Sequence, residues 1–215
     1  MPDNIREANV AKVTPGRKRA VTSGRKPKRA RSATALDLKP AALDEAMQAY
    51  FAKCTEKLGF VPNVLQAYSF DLTKLKAFVA MADDLMLAPS GLSKLEREMI
   101  ATTVSCANFC HYCIVAHGAA VRKLSGDARL GDILAANYRA ADLEPRQRAM
   151  LDFTWKLTIE PWAVGEEDRA ALHKAGFKDR DVWDIAAVAA FYAMSNRLAS
   201  ATEMMPNDEY YEMGR

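Results

Sequence analysis

Two cysteines and a histidine at helical spacing are the residues of this chain best suited to chemistry. Cys110 and Cys113 form a Cys-x-x-Cys pattern, and His117 follows four residues after the second thiol. Residues three and four apart on a helix are neighbours, so Cys113 should lie beside both Cys110 and His117. Adjacent thiols can close a disulfide, and an imidazole can accept a thiol proton. The spacing alone therefore indicates redox chemistry or metal binding.

The preceding helical segment supplies a candidate carboxylate, Glu98. The pattern breaks near Asn108 and Phe109, which predicts that the two helices fold back on each other and aim Glu98 at the thiols. Glu96 competes for this role, but residues two apart on a helix point roughly 200° apart, so only one of them can face the thiols. We assign Glu96 to a capping box with Ser93 and Glu98 to the site.

These four side chains could carry out hydroperoxide reduction. A thiolate attacks the O–O bond, and a second thiol converts the resulting sulfenic acid into a disulfide. We predict that Cys113, next to His117, attacks and that Cys110 resolves. The helix dipole and His117 should favour the thiolate, while Glu98 orients His117 and relays protons. An external dithiol must then reopen the disulfide, because the chain has no nucleotide-binding fingerprint.

Other interpretations of the cysteines stay open at this point. A structural zinc site usually takes four tetrahedral ligands, and beyond this segment the sequence offers only an isolated histidine, His173. Inert cysteines packed in a helical core are a second alternative. Cys54 and Cys106 are predicted to pack rather than to react. We predict no bound cofactor and no metal.

An all-α body should position the candidate residues. From Lys39 onward the 3.6-residue period recurs in nearly every segment, and Pro, Gly or Asp marks the breaks. The last segment is apolar on every side over residues 185–194, which predicts a place in the core or against another subunit. Predicted helices span residues 40–58, 71–87, 93–108, 110–125, 128–137, 145–159, 166–175 and 180–203.

Charge divides the chain into a basic tail and a mildly acidic body. Residues 1–35 hold ten Lys or Arg and two acidic residues, which leaves twenty basic and twenty-five acidic side chains in residues 36–215. The tail has few large apolar residues, so we predict that it is disordered. Its basic runs could bind nucleic acid, but no aromatic residue lies among them, which favours a solvated tail. We expect one all-helical domain at 36–215.

The chain contains no recognisable secretory signal and no apolar run long enough to span a membrane. We therefore predict a cytoplasmic protein with no membrane association. Structural disulfides are rare in a reducing compartment, so a closely spaced cysteine pair there is more often catalytic or metal-binding.

The motif region resembles the alkylhydroperoxidase D family, within the carboxymuconolactone decarboxylase-like superfamily, and its peroxidase-related branch in particular. The redox signature of that family is Glu, eleven residues, Cys, two residues, Cys, three residues, His. Every interval is matched here, by Glu98, Cys110, Cys113 and His117. The similarity continues into residues 59–63, 92–98 and 196–197 and covers roughly residues 40–212.

The resemblance implies an all-α multi-helix bundle that forms a homo-oligomer and reduces hydroperoxides. It also implies that Cys113 is the peroxidatic thiol, that Cys110 resolves, and that a dihydrolipoyl protein or another dithiol supplies the electrons. The chain departs from the family at Tyr112, where well-described members have an additional His. His111 lies one residue earlier, rotated by about 100° on a helix, so we do not expect it to replace that His.

Two other functions stay open. A non-redox lactone decarboxylase of the same superfamily would form a carbanion by general-base chemistry, although the intact cysteine pair argues against it. A redox-switched sensor would bind a partner through residues 1–35 and report oxidation through the cysteines.

Overall fold

The computed structural model describes residues 33–215, which form nine α-helices and no β-strand. The predicted all-α fold class is therefore confirmed for this part of the chain, which lies within one compact unit. Residues 1–32, most of the predicted disordered tail, lie outside the described residues. Ala33 and Ala35 hydrogen-bond through their backbones to Met205 and Thr202, beyond the end of the last helix. Over the described range, no helix has the length and apolar character of a membrane span.

The helices agree with the predicted set within a few residues at most ends. They are α1 Glu45–Leu58, α2 Asn63–Tyr68, α3 Leu72–Leu87, α4 Lys94–Ala107, α5 His111–Ser125, α6 Leu130–Asn137, α7 Pro145–Ile159, α8 Glu166–Lys174 and α9 Asp179–Ala201. Short 3₁₀ turns lie at Tyr138–Ala140, Pro161–Ala163 and Asp208–Tyr211.

Two differences occur near the start of the described chain. The first helix was predicted from residue 40, but α1 begins at Glu45, because the Asp44 side chain accepts a hydrogen bond from Met47 N (3.0 Å) and caps the helix there. The sequence analysis also missed α2. Its six residues are too few to establish a helical period, and it follows Pro62 with no side-chain cap.

Helix α4 is the buried centre of the fold. Residues 99–105 are all 0% exposed, and α4 packs against α5, α6, α7 and α9. Two of its polar side chains satisfy their hydroxyls within the helix: Thr102 donates to Glu98 O (2.8 Å) and Ser105 to Ala101 O (2.6 Å). Burial of α4 on all sides fixes the position of Glu98 relative to the neighbouring helices.

A tight reversal joins α4 to α5, as the break near Asn108 and Phe109 predicted. Phe109 adopts a positive φ of 54° and is 89% exposed. Asn108 Nδ2 donates to Val104 O (3.0 Å), and Cys110 N donates to Ser105 O (2.9 Å). These bonds satisfy carbonyls at the end of α4 and place the first turn of α5 beside it.

Helix α5 also makes a close contact with α6, at two glycines. A Cβ atom at Gly131 would lie 2.3 Å from Gly118 O, whereas a Cβ atom at Gly118 would lie 3.7 Å from Gly131 O. Only a residue without a side chain allows the two backbones to approach in this way at Gly131. The contact fixes the position of α5, which carries the candidate site.

Gly131→Ala should lower the free energy of unfolding by about 1 to 3 kcal/mol, because the added methyl group forces the helices apart. Gly118→Ala is the matched control, since its methyl group has room and alanine favours a helix interior by up to about 1 kcal/mol. Urea denaturation of both variants measures the difference. Equal stabilities would contradict this account of the α5–α6 contact.

Candidate active site

The two cysteines of the motif lie in the first turn of α5 and are almost fully buried. Cys110 is the N-cap residue, and Cys113 follows within the helix. Both thiols are free, with residue exposures of 1% and 3%. The thiol and the backbone N–H of Cys113 both act on the Cys110 sulfur, and each lowers the pKa of Cys110. The predicted adjacency of the two thiols is therefore present.

The surroundings of the cysteine pair favour the charged form of Cys110 over that of Cys113. The Cys113 thiol donates a hydrogen bond to the Cys110 sulfur, and this contact, reinforced by the Cys113 N–H, the Ser200 side chain and the charge of His117, outweighs burial and lowers the pKa of Cys110 to about 6. The same donated bond, together with burial, raises the pKa of Cys113. The sequence analysis placed the attacking thiolate at Cys113, and that role stays a prediction.

Polar side chains from two other helices surround Cys113. Asn196 of α9 and Ser105 of α4 lie beside its sulfur, and both oppose the rise in the pKa of Cys113. Asn196 is 1% exposed, and its Nδ2 donates to Ser105 Oγ (3.0 Å) while its Oδ1 accepts from Asn108 Nδ2 (3.0 Å). Both ends of the buried Asn196 amide are therefore hydrogen-bonded. Its contact with a thiol was missed, although a buried Asn on an apolar helix implies a nearby polar partner.

Glu98 and His117 form the second half of the site. His117 Nδ1 lies 2.7 Å from Glu98 Oε2, and both side chains are less than one-fifth exposed. The imidazole also packs edge-on against the Tyr192 ring, at 4.3 Å between centroids. Because Nδ1 bonds to the carboxylate, Nε2 is left for a substrate. As predicted, Glu96 instead completes a capping box, accepting from Ser93 N (2.7 Å).

A cavity of about 170 Å³, which we call the thiol cavity, lies next to Cys113. Cys113 and His117 both line it, whereas Cys110 does not. Most of the other lining side chains are apolar. They come from α2, α3, α5, α9 and the segment after α9, and they are Val64, Leu65, Tyr68, Phe78, Ala82, Tyr112, Phe191, Tyr192, Ser195, Leu198, Ala199 and Met204.

The aromatic residues of α7, α9 and the turn after α7 divide into two groups. Phe191 and Tyr192 line the thiol cavity. Trp155 packs at the edge of the main core, while Trp162 and Trp183 are 82% and 72% exposed. A helical period identifies the buried face of α9, but it does not distinguish a cavity wall from a packed core.

Tyr112 and His111 point in different directions from the start of α5. The Tyr112 hydroxyl accepts a hydrogen bond from Val64 N (3.1 Å) and shares another with Tyr210, so Tyr112 ties α5 to α2 and to the C-terminal turn. His111 Nε2 lies 3.0 Å from Tyr211 Oη in an exposed contact. As expected, His111 does not approach the thiols.

The remaining cysteines and histidine have partners of their own. The Cys106 thiol donates to Ala135 O (2.7 Å), and burial raises its pKa. Cys54 lies on α1, packed against the cluster that α1, α2 and α3 form. His173 Nε2 lies 3.0 Å from Asp179 Oδ1. Within residues 33–215, no group of three or more His, Cys, Asp or Glu side chains could hold a metal ion.

Comparison with known proteins relates the chain to one family. Residues 75–154, which include the four motif residues, match the carboxymuconolactone decarboxylase family. A peroxidase-related protein from Silicibacter sp. TM1040 is 58% identical, with a TM-score of 0.83 over 86% of this chain and 97% of that one. No protein with a curated description matches.

Two other solved structures are similar. A peroxidase-related protein with an alkylhydroperoxidase AhpD core, from Ralstonia eutropha JMP134, is 44% identical, with a TM-score of 0.83 over 86% of this chain and 98% of that one. The debrominase Bmp8 is 18% identical, with a TM-score of 0.68 over 82% of this chain and 95% of that one, which shows a shared fold.

The ionisation of the cysteine pair can be measured from the ultraviolet absorbance of its thiolate. Because the pKa of Cys110 is lowered, we expect one thiolate to appear as the pH rises through about 6 and to disappear below it. Cys113→Ala should move this midpoint upward, because it removes the largest cause of the lowering. Cys54→Ala is the control and should leave the midpoint unchanged. A wild-type midpoint near the ordinary thiol pKa of about 8.5 would contradict the assignment.

Proposed function

The chain belongs to the carboxymuconolactone decarboxylase-like superfamily, among its AhpD-like proteins, and from this we propose that it is a thiol-dependent peroxidase. One observation carries the proposal. Cys110 and Cys113 are neighbouring free thiols, and Cys113 lines an apolar cavity together with His117, which is bound to the Glu98 carboxylate. The peroxidase-related names of two similar structures, from Silicibacter sp. TM1040 and Ralstonia eutropha JMP134, support the same activity.

In the first step, Cys113 attacks the hydroperoxide. Its proton moves along the shared hydrogen bond to Cys110, which leaves the thiolate on the sulfur that faces the thiol cavity. The Cys113 thiolate displaces an alkoxide from the terminal oxygen of ROOH, so the O–O bond breaks and a sulfenic acid forms. Protonated His117 gives its proton to the alkoxide, which leaves as the alcohol. Glu98 stabilises the imidazolium before transfer.

In the second step, Cys110 resolves the sulfenic acid. The neutral His117 accepts the Cys110 proton, and the Cys110 sulfur attacks the Cys113 sulfur. Hydroxide leaves, takes the proton back from His117 and becomes water. The net change is ROOH plus two thiols to ROH, water and a disulfide. An external dithiol then reduces the disulfide, and a dihydrolipoyl group has the required chemistry.

The size and the apolar wall of the thiol cavity favour a hydroperoxide substrate with a small apolar group. Its volume is about 170 Å³, and aromatic and aliphatic side chains form most of its wall. An apolar wall excludes water and strengthens the electrostatic contacts of the reacting atoms. It also holds the organic part of a substrate by hydrophobic burial.

We also propose that the protein acts as a homo-oligomer. Large apolar side chains are exposed on two neighbouring helices: Met81 of α3 is 53% exposed, and Trp183 and Met194 of α9 are 72% and 50% exposed. Together they line one open apolar groove. Exposed apolar patches of this kind are typical of subunit contacts. A cytoplasmic location, which would keep the cysteine pair reduced between turnovers, stays a prediction.

Replacing each cysteine in turn tests the proposed roles. Cys113→Ser should abolish steady-state consumption of an organic hydroperoxide with a dithiol and form no sulfenic acid. Cys110→Ser should also lose turnover, but one equivalent of hydroperoxide should leave a sulfenic acid at Cys113, detected by a dimedone-type probe and mass spectrometry.

Cys54→Ser is the matched control and should retain wild-type turnover. Sulfenic acid at Cys110 in the Cys113→Ser variant would reverse the two roles. Oxidation of the wild-type pair without turnover would favour the redox-switched sensor. If both Cys113→Ser and Cys110→Ser kept full activity, the non-redox enzyme would be favoured.

Glu98→Gln should lower kcat/KM for the hydroperoxide by about 10- to 100-fold, because the amide can hold His117 in place but cannot stabilise its charged form. Glu56→Gln, an exposed carboxylate on α1, is the control. The pH profile of kcat/KM measures the effect. An unchanged rate across the profile would exclude Glu98 from the proton relay.

A further inference from the structure

Ser195 lines the thiol cavity, and its hydroxyl is buried without a hydrogen-bond partner. Among the described residues, only two buried side-chain polar atoms make no hydrogen bond, Thr103 Oγ1 and Ser195 Oγ. Ser195 lines the same cavity as Cys113 and His117, whereas Thr103 does not. An unpaired buried hydroxyl costs free energy, so such a group in a native structure calls for an explanation.

The usual way for a helical serine or threonine to satisfy its hydroxyl is to bond the carbonyl four residues earlier. Ser105 does so with Ala101 O (2.6 Å), and Thr154 does so with Met150 O (2.8 Å). Ser195 makes no such bond with the carbonyl of Phe191. Its hydroxyl therefore has no partner within the described part of the protein, and Ser195 borders the cavity from which a ligand can supply one.

The neighbours of Ser195 place it close to the reacting sulfur. It lies one turn after Tyr192, whose ring packs on His117, and directly before Asn196, which lies beside the Cys113 sulfur. Among the tyrosines that line the same cavity, Tyr112 has its hydroxyl engaged by Val64 N and Tyr210. Cys113 and Ser195 line the same cavity of about 170 Å³, which brings both residues to one small binding space.

We propose that Ser195 binds the substrate and donates a hydrogen bond to the oxygen of ROOH that carries the organic group. This inference rests on the proposed peroxidase function and adds a residue to it. As the Cys113 thiolate attacks the terminal oxygen, negative charge develops on the organic oxygen. The Ser195 hydroxyl stabilises that charge until His117 supplies the proton, and Ser195 itself is neither oxidised nor deprotonated. A donor aimed at developing charge strengthens most in the transition state.

Rapid-mixing kinetics on the reduced full chain test this role. The rate constant for Cys113 oxidation by tert-butyl hydroperoxide should fall about tenfold in Ser195→Ala, as expected for the loss of one hydrogen bond to a developing charge. Thr103→Val removes the other unpaired hydroxyl, away from the cavity, and should leave the rate unchanged. Alkylation of Cys113 by iodoacetamide and the thiolate titration should be the same in Ser195→Ala and in wild type.

The outcomes separate this inference from the function on which it rests. A rate in Ser195→Ala within about twofold of wild type would overturn the role of Ser195 while leaving the peroxidase proposal in place. An equal loss in hydroperoxide and iodoacetamide rates would also overturn it, because Ser195 would then act on the thiol and not on the substrate. A wild-type chain that hydroperoxide does not oxidise would contradict the peroxidase proposal itself.

Discussion

The hydrogen bond from the Cys113 thiol to the Cys110 sulfur is the contact on which the site depends. Two buried thiols would ordinarily both stay protonated, since burial disfavours the charged form. Here the backbone N–H of Cys113 also lowers the pKa of Cys110, which favours one negative charge on the pair. The proton between the sulfurs can then shift, so a thiolate can form at Cys113, which faces the cavity, without a new charge entering the protein interior.

Three helices hold that pair in place, and each contributes in a different way. Helix α4 is buried on all sides and presents Glu98 and Ser105. Helix α9 contributes Asn196, which joins Ser105 to the Cys113 sulfur. Helix α5 carries the thiols and His117, and its contact with α6 at Gly131 restricts its movement. Since these positions depend on one another, a shift of α5 would disturb the thiol pair and the Glu98–His117 contact together.

The sequence was sufficient for what depends on periodicity and spacing. The eight long helices, the capping box at Ser93 and the choice of Glu98 over Glu96 follow from residues a few positions apart. The sequence was insufficient where distant segments meet. Helix α2 is too short to show a period, yet it walls the cavity. The acidity of Cys110 depends on helix-end geometry, and the free hydroxyl of Ser195 depends on the absence of a local bond, so neither leaves a pattern in the sequence.

The central claim is that Cys110 and Cys113 are a working redox couple that a hydroperoxide oxidises. Peptide mass mapping of the full chain after one equivalent of an organic hydroperoxide tests it most directly. The account predicts a single intrachain Cys110–Cys113 disulfide, formed in step with one equivalent of alcohol and reversed by a dithiol, with Cys54 and Cys106 still reduced. Two free thiols after hydroperoxide treatment, or oxidation confined to Cys54 or Cys106, would contradict it.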